Sequence, residues 1–274
     1  MVRRFHRRLT EIKQSIITSG VRGLLYSILR TEMWVCNQLY LMPTLFDFER
    51  RSIRRFVRES AARLPNGSTV LDAGAGEVPF KGFFGACQYE SCDVHLVSTL
   101  GYKHDFHCNL SEQIPKDGGT YDAVLCTQVL EHVPNPEASL REFARILKPG
   151  GHLFITVPQG DPLHEIPHHY FNFTPYGLSL LLERSGFTID SIRARTGYPR
   201  TVSYRCMNMW PMIGRQSEKN WLLCALLILS YPVLQFLFGL LPGVFGLCAD
   251  WIDRERGYTL GYACCAVRKE GLKA

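Results

Sequence analysis

The stretch Val70-Leu71-Asp72-Ala73-Gly74-Ala75-Gly76-Glu77 holds the residues best suited to cradle a nucleotide-like ligand. Glycine at 74 and 76 lets the main chain turn sharply and lets a ligand lie against bare backbone. A dinucleotide site would want a third glycine at position 79, where helix and strand pack closely, and that position is Pro79. The substitution counts against a nicotinamide or flavin enzyme. Twenty-one residues after Asp72 stands Asp93. A carboxylate at that distance is placed to accept hydrogen bonds from both ribose hydroxyls, and its coincidence with the glycine turn weakens the plainer reading of a surface-turn aspartate. Asn109 and Leu110 offer a polar contact and an apolar wall to a purine ring. Cys126, Thr127 and Gln128 follow a further apolar run.

A second group is rich in histidine. Between Pro158 and Thr174 stand His164, His168, His169 and Tyr170. Imidazole titrates near neutrality, so these residues are candidates to bind an acceptor or take its proton. Two other readings compete. One is a structural lid in which His and Tyr hydrogen-bond the loop itself. The other is zinc held by three imidazoles with Asp161 and Glu165; no regular helical ligand spacing supports it, so no metal site is predicted. For Leu130-Glu131-His132-Val133, a structural role bonding the neighbouring loop is preferred over a catalytic one.

These residues need a scaffold, and the chain patterns one. Strands are expected over 68–72, 88–93, about 104–109, 121–126, 151–157, 187–194 and 258–268, with helices at 137–147 and 174–185. Lys148-Pro149-Gly150-Gly151 reads as the turn between a helix and a strand. Such alternation predicts an α/β fold: a Rossmann-like, doubly wound, mainly parallel seven-stranded sheet, with ligands beyond the carboxyl ends of its strands. Residues 65–196 form its core and 257–274 its last strand and tail. Residues 1–64 are expected to be a basic amphipathic helical arm, with helical patterning over 9–29 and again over 48–64. The second helix either packs on the sheet edge as a solvated helix or lays its basic face on anionic lipid. An apolar helical insert occupies 197–256. Within it Trp221 to Ala249 carries no charged side chain, yet Pro232 and Pro242 break it into pieces shorter than the roughly 20 residues a span needs. An interfacial or re-entrant hairpin is favoured over a soluble cap or a span.

Charge and cysteine usage narrow the class. The chain carries a net charge of +6, while residues 1–64 hold thirteen Lys/Arg against five Asp/Glu, so the basic character belongs to the arm. The body lacks the basic stripe or stacked aromatic platform of a nucleic-acid enzyme. The ten cysteines are scattered, with no Cys-x-x-Cys pair, which fits reduced thiols better than a disulfide scaffold. A secretory signal is not expected; an Arg-rich transit peptide stays open.

With VLDAGAG at 70–76, Asp93, YDAVLCTQVLEHV at 121–133, LREFARILKPGGHLFITVP at 140–158 and Gly186-Phe187, the chain resembles class I S-adenosylmethionine-dependent methyltransferases of the ubiquinone-biosynthesis-like type (methyltransferase types 11 and 23) over about 66–195. The resemblance implies S-adenosylmethionine as cofactor. Asp72, Gly74, Gly76, Cys126, Thr127 and Gln128 would lie along the methionine portion, Asp93 on ribose, and Asn109 with Leu110 at adenine. The adenine position is often Asp in that family and is Asn here. The His164–Tyr170 loop is similar to the family's His-x-x-Pro-x-Asp-Tyr loop, with His169 where Asp is common. The expectation is methyl transfer to a small or lipid-linked acceptor at a membrane surface, by a cytoplasmic protein peripheral on the inner face, with no nucleic acid as partner and oligomeric state open. The alternatives are a soluble small-molecule or sugar O-methyltransferase with an apolar cap, and a non-catalytic cofactor-binding partner subunit.

Overall fold

A computed structural model of the chain describes residues 45–216, 226, 230, 233–234 and 236–271. The helix expected over 9–29 and the first part of the uncharged 221–249 stretch, mainly 221–232, lie outside the described residues. The chain divides into two compact units. The larger holds residues 49–196 with the C-terminal residues from 256; the smaller includes residues 45–48 and 197–255.

The larger unit is built on one seven-stranded sheet. Its strands are β1 (Thr69–Ala73), β2 (Gln88–Asp93), β3 (Phe106–His107), β4 (Tyr121–Thr127), β5 (Leu147–Pro158), β6 (Phe187–Ala194) and β7 (Gly261–Arg268), in the order β3-β2-β1-β4-β5-β7-β6. The first five run parallel, and β7 inserts antiparallel between β5 and β6. The strand order reverses between β1 and β4, which opens a crevice at their carboxyl ends.

Period-two alternation assigns the two faces. Leu71, Val124, Cys126, Leu153, Ile155 and Cys264 pack on one side beneath helices α2 (Pro136–Ile146) and α3 (Pro175–Arg184). Val70, Ala123, Leu125, Phe154 and Cys265 pack on the other, against helix α1 (Phe48–Ala61). Helix α1 buries Ile53, Phe56 and Val57, which fall on one stripe of a helix, and its Phe56 ring meets Phe154 edge-on at 6.5 Å. Its arginines face outward: Arg55 pairs with Glu59, while Arg54 and Arg58 lie over the Phe83 ring. Asn135 and Thr174 cap α2 and α3 by accepting the amides of Ala138 and Gly177, each followed by a proline whose missing N–H costs nothing there.

The expected turn at Lys148–Gly151 takes another form. Tyr121 pairs with Leu147, but Ala123 pairs with His152, so the Pro-Gly-Gly stretch bulges from the ladder while the strand continues on both sides. Strand β3 shrinks to two residues, and helix α1 ends before Pro65-Asn66-Gly67 rather than at it.

The smaller unit contains α4 (Tyr198–Gln216), a π-helical turn at Phe236–Leu240 and α5 (Leu241–Ala249). Asp250 is buried within it, accepting the Gly197 amide at 2.9 Å and facing Arg200 at 3.4 Å. Leu241, Val244, Phe245, Trp251 and Ile252 are exposed. Among the described residues no helix is long and apolar enough to cross a membrane.

Candidate active site

The loop leaving β1 turns directly over the crevice. Gly74 and Ala75 donate their amides to the Cys92 carbonyl at 2.9 and 3.0 Å, which pins the turn to the end of β2. Gly74 has φ +76°, and a Cβ there would stand 2.6 Å from the Val129 side chain, so the β1 loop and the β4 loop touch across the switch point only because Gly74 has no side chain. Gly76 has φ +52° but open space where its Cβ would be, the bare surface a ligand could use. The Gly76 amide donates to Asp93 Oδ2 at 2.9 Å, and the His95 amide reaches Oδ1 at 3.2 Å. Asp93, the residue expected at ribose, therefore fastens the glycine turn. Glu77 ties the same turn outward, accepting from Ser98 Oγ at 2.7 Å, from Thr99 Oγ1 and from the Leu100 amide.

Asp72 is fully buried. Its Oδ2 accepts the Tyr89 hydroxyl, and its Oδ1 meets no donor among the described residues. Desolvation pushes the carboxyl up to about 7, the Tyr89 bond opposing and Asp93 adding. At the end of β4, Gln128 takes φ +54°, donates its amide to the Thr156 carbonyl at 2.9 Å and its side-chain nitrogen to Thr156 Oγ1 at 3.1 Å. The Cys126 thiol is wholly buried and held protonated by that burial, which leaves main chain as what Cys126 offers a ligand. Thr127 is half-buried beside it.

Asn109 and Leu110, the pair expected at adenine, are engaged locally. Asn109 Oδ1 accepts the Ser111 amide at 3.1 Å while its amide nitrogen donates to Glu112 at 2.9 Å, and the Leu110 side chain belongs to the core. A ring contact by Asn109 would exchange the Glu112 bond for one to the ligand.

Beyond β5 the histidines gather around the 3-10 turn Leu130–His132. The rings of His132, His164 and His169 lie 4.3 to 5.8 Å apart between centroids. His132 Nδ1 sits 2.8 Å from the His168 carbonyl, and the Glu131 carbonyl accepts the Tyr170 amide at 2.8 Å, so this motif does hold the loop. His164 Nδ1 lies 3.0 Å from the Pro162 carbonyl. His168 and Tyr170 pair side chain to side chain at 3.1 Å. The imidazole of His169 is held below its usual range by desolvation, with His164 and His132 adding. The carboxyl of Glu131 is buried with no side-chain donor to either oxygen among the described residues, and desolvation pushes it up to about 8. Glu131, His132 and His164 each bring a ligand atom within 4.8 Å of the others, a donor set a divalent cation could use. These residues come from two loops, and their separation of more than thirty positions hides the grouping from any local motif. Tyr89, on a strand with no motif of its own, is also invisible to sequence spacing.

Residues 46–192, more than half of the chain, match the methyltransferase-domain family model. The chain belongs to that family, whose members use S-adenosylmethionine. It is 30% identical over 145 residues to a ubiquinone biosynthesis O-methyltransferase of Marinobacter nauticus, an alignment covering 46% of this chain and 58% of that protein. A second, from Xanthomonas axonopodis pv. citri, is 28% identical over 162 residues, covering 48% and 68%. The fold is similar to that of the Burkholderia thailandensis 1,6-didemethyltoxoflavin-N1-methyltransferase, with a TM-score of 0.50 at 17% identity over 89% of this chain and 88% of that one.

The residues present fit such a cofactor. The orphaned Asp72 Oδ1 calls for a donor, the open side of Gly76 accepts close approach, and Asp93 stands at the next strand end.

Proposed function

We propose that this protein transfers the methyl group of S-adenosylmethionine to a hydroxyl oxygen of a small or lipid-linked acceptor at a membrane surface. The observation that carries the reading is the joined crevice at β1 and β4: a bare glycine turn, two acidic side chains at consecutive strand ends, and a buried carboxylate oxygen lacking a donor. The cofactor, when bound, supplies a methyl group on a positively charged sulfur. Asp72 would answer the positive methionine end, Asp93 the ribose, and Asn109 with Leu110 the adenine side. Gly74, Gly76, Cys126, Thr127 and Gln128 would line the methionine portion with main chain.

The His164–Tyr170 loop would form the acceptor side. His168 and Tyr170 are the accessible pair there, and Leu163 and Ile166, each 73% exposed, give the loop an apolar rim suited to an amphiphilic acceptor. In-line attack needs the acceptor oxygen aligned and its proton removed, tasks of positioning and general-base catalysis. The exposed apolar side chains of the smaller unit, its uncharged 221–249 segment and the basic arm support docking on anionic lipid from the cytoplasmic side. The described cysteines are all free, in keeping with a reducing compartment.

Incubating a lipid extract with protein and cofactor should produce an acceptor heavier by about 14 Da, one methylene in net composition. Titration calorimetry should show cofactor binding, weakened about tenfold or more in Asp93→Ala through loss of charge-assisted bonds to ribose. Absence of binding by the wild type would end the cofactor reading.

A further inference from the structure

Tyr89 has no place in the family motif, yet among the described residues it is the side chain that hydrogen-bonds the buried Asp72 carboxyl. The ladder explains how. Val70 pairs with Tyr89 and Asp72 with Ser91, so Tyr89 and Asp72 emerge on the same face, and the tyrosine ring reaches forward to the carboxyl. That ring is itself held. Phe84 lies 5.7 Å away between centroids, and the Lys81 ammonium stands 5.8 Å from its centre. With Oδ2 committed to Tyr89, Oδ1 is left buried without a donor, an expense a folded protein tolerates where a ligand brings the missing donor.

We propose that Tyr89 is a positioning residue for the cofactor, whose hydroxyl fixes the Asp72 carboxyl so that Oδ1 receives the ligand's ammonium group. The inference rests on the reading of Asp72 given above. Its consequence is a pH signature. Burial raises the Asp72 carboxyl to about 7, and the Tyr89 bond is what opposes that rise, because a hydroxyl donor favours the ionised form. Of the other groups around Asp72, Asp93 raises it further. The thiols of Cys92 and Cys126 stay protonated, Cys92 through its bond to Cys108 and burial, Cys126 through burial. Behind the tyrosine, Lys81, Tyr102 and Asp105 are the charged or titratable neighbours. An ammonium-bearing ligand binds best to the carboxylate, so affinity should climb as pH rises through about 7.

The test is calorimetry with S-adenosylhomocysteine, which carries the same ammonium group, from about pH 6 to about pH 8.5. Tyr89→Phe keeps the ring volume and removes the donor. Its affinity profile should shift upward by about one pH unit, giving roughly fivefold weaker binding at neutrality and near convergence with wild type at the alkaline end. Asp72→Asn should bind weakly and lose the midpoint. A Tyr89→Phe profile superimposable on wild type, or weakened equally at every pH, overturns the positioning role while an impaired Asp72→Asn leaves the cofactor reading standing. Asp72→Asn with full affinity and an unaltered profile would instead remove Asp72 from the ligand site.

Discussion

Gly74 and Gly76 are both glycines with positive φ, two residues apart, and the chain needs them for different reasons. At Gly74 a methyl group meets the Val129 side chain at 2.6 Å; at Gly76 it meets nothing. Gly74→Ala should therefore cost about 2–4 kcal/mol of stability from strain and overpacking together, against about 1 kcal/mol for Gly76→Ala from backbone strain alone. Thermal melts would check the difference, and adding Val129→Ala should recover part of the first loss but none of the second. Asp72 sets a second contrast. Its folded carboxyl titrates near 7 and its unfolded one near 3.8, so the folded state holds the extra proton between those values. Stability of the ligand-free protein then falls as pH rises through that window. Asp72→Asn removes that slope, and should gain stability relative to wild type between pH values near 5 and 8 by up to a few kcal/mol. A pH-independent difference in denaturant midpoints would contradict the assignment.

At the scale of elements, helix α1 carries the clearest division of labour. Its arginines read as a basic amphipathic face, and its buried Ile53, Phe56 and Val57 show that the apolar face is spent on the sheet. Phe56→Ala should destabilise the larger unit by about 3–5 kcal/mol, read from chemical denaturation, whereas Arg55→Ala should change it by less than about 1 kcal/mol because the Glu59 pair is exposed. The strands show why the sequence is legible in part. Short continuous apolar runs mark β1 and β4 and alternation marks β6, because both patterns are local properties. The bulge at Lys148–Gly151 and the placing of β7 between β5 and β6 are matters of pairing, which no window of ten residues contains. The site divides the same way. The glycine turn and Asp93 can be read from spacing, while Tyr89 beside Asp72, and Glu131 with His132 beneath His164, exist only once distant segments meet.

For the whole molecule, the question is where the acceptor comes from. The exposed apolar residues of α5 and the turn after it, with the surplus of positive charge near the N-terminus, predict recruitment to anionic vesicles that fades with salt. Flotation with phosphatidylserine-containing liposomes at low and high ionic strength would measure it; a protein that stays at the bottom of the gradient at both would refute membrane docking. The strand order also imposes a schedule on the ribosome. Strands β5 and β6 are made early but are not neighbours, since β7 must lie between them and is translated only after the uncharged segment of the smaller unit. Until then the nascent sheet stops at an open β5 edge and β6 waits without a partner. The most apolar stretch of the chain thus emerges while the sheet is unfinished, which makes this a protein whose yield should depend on chaperones or on a nearby membrane during synthesis.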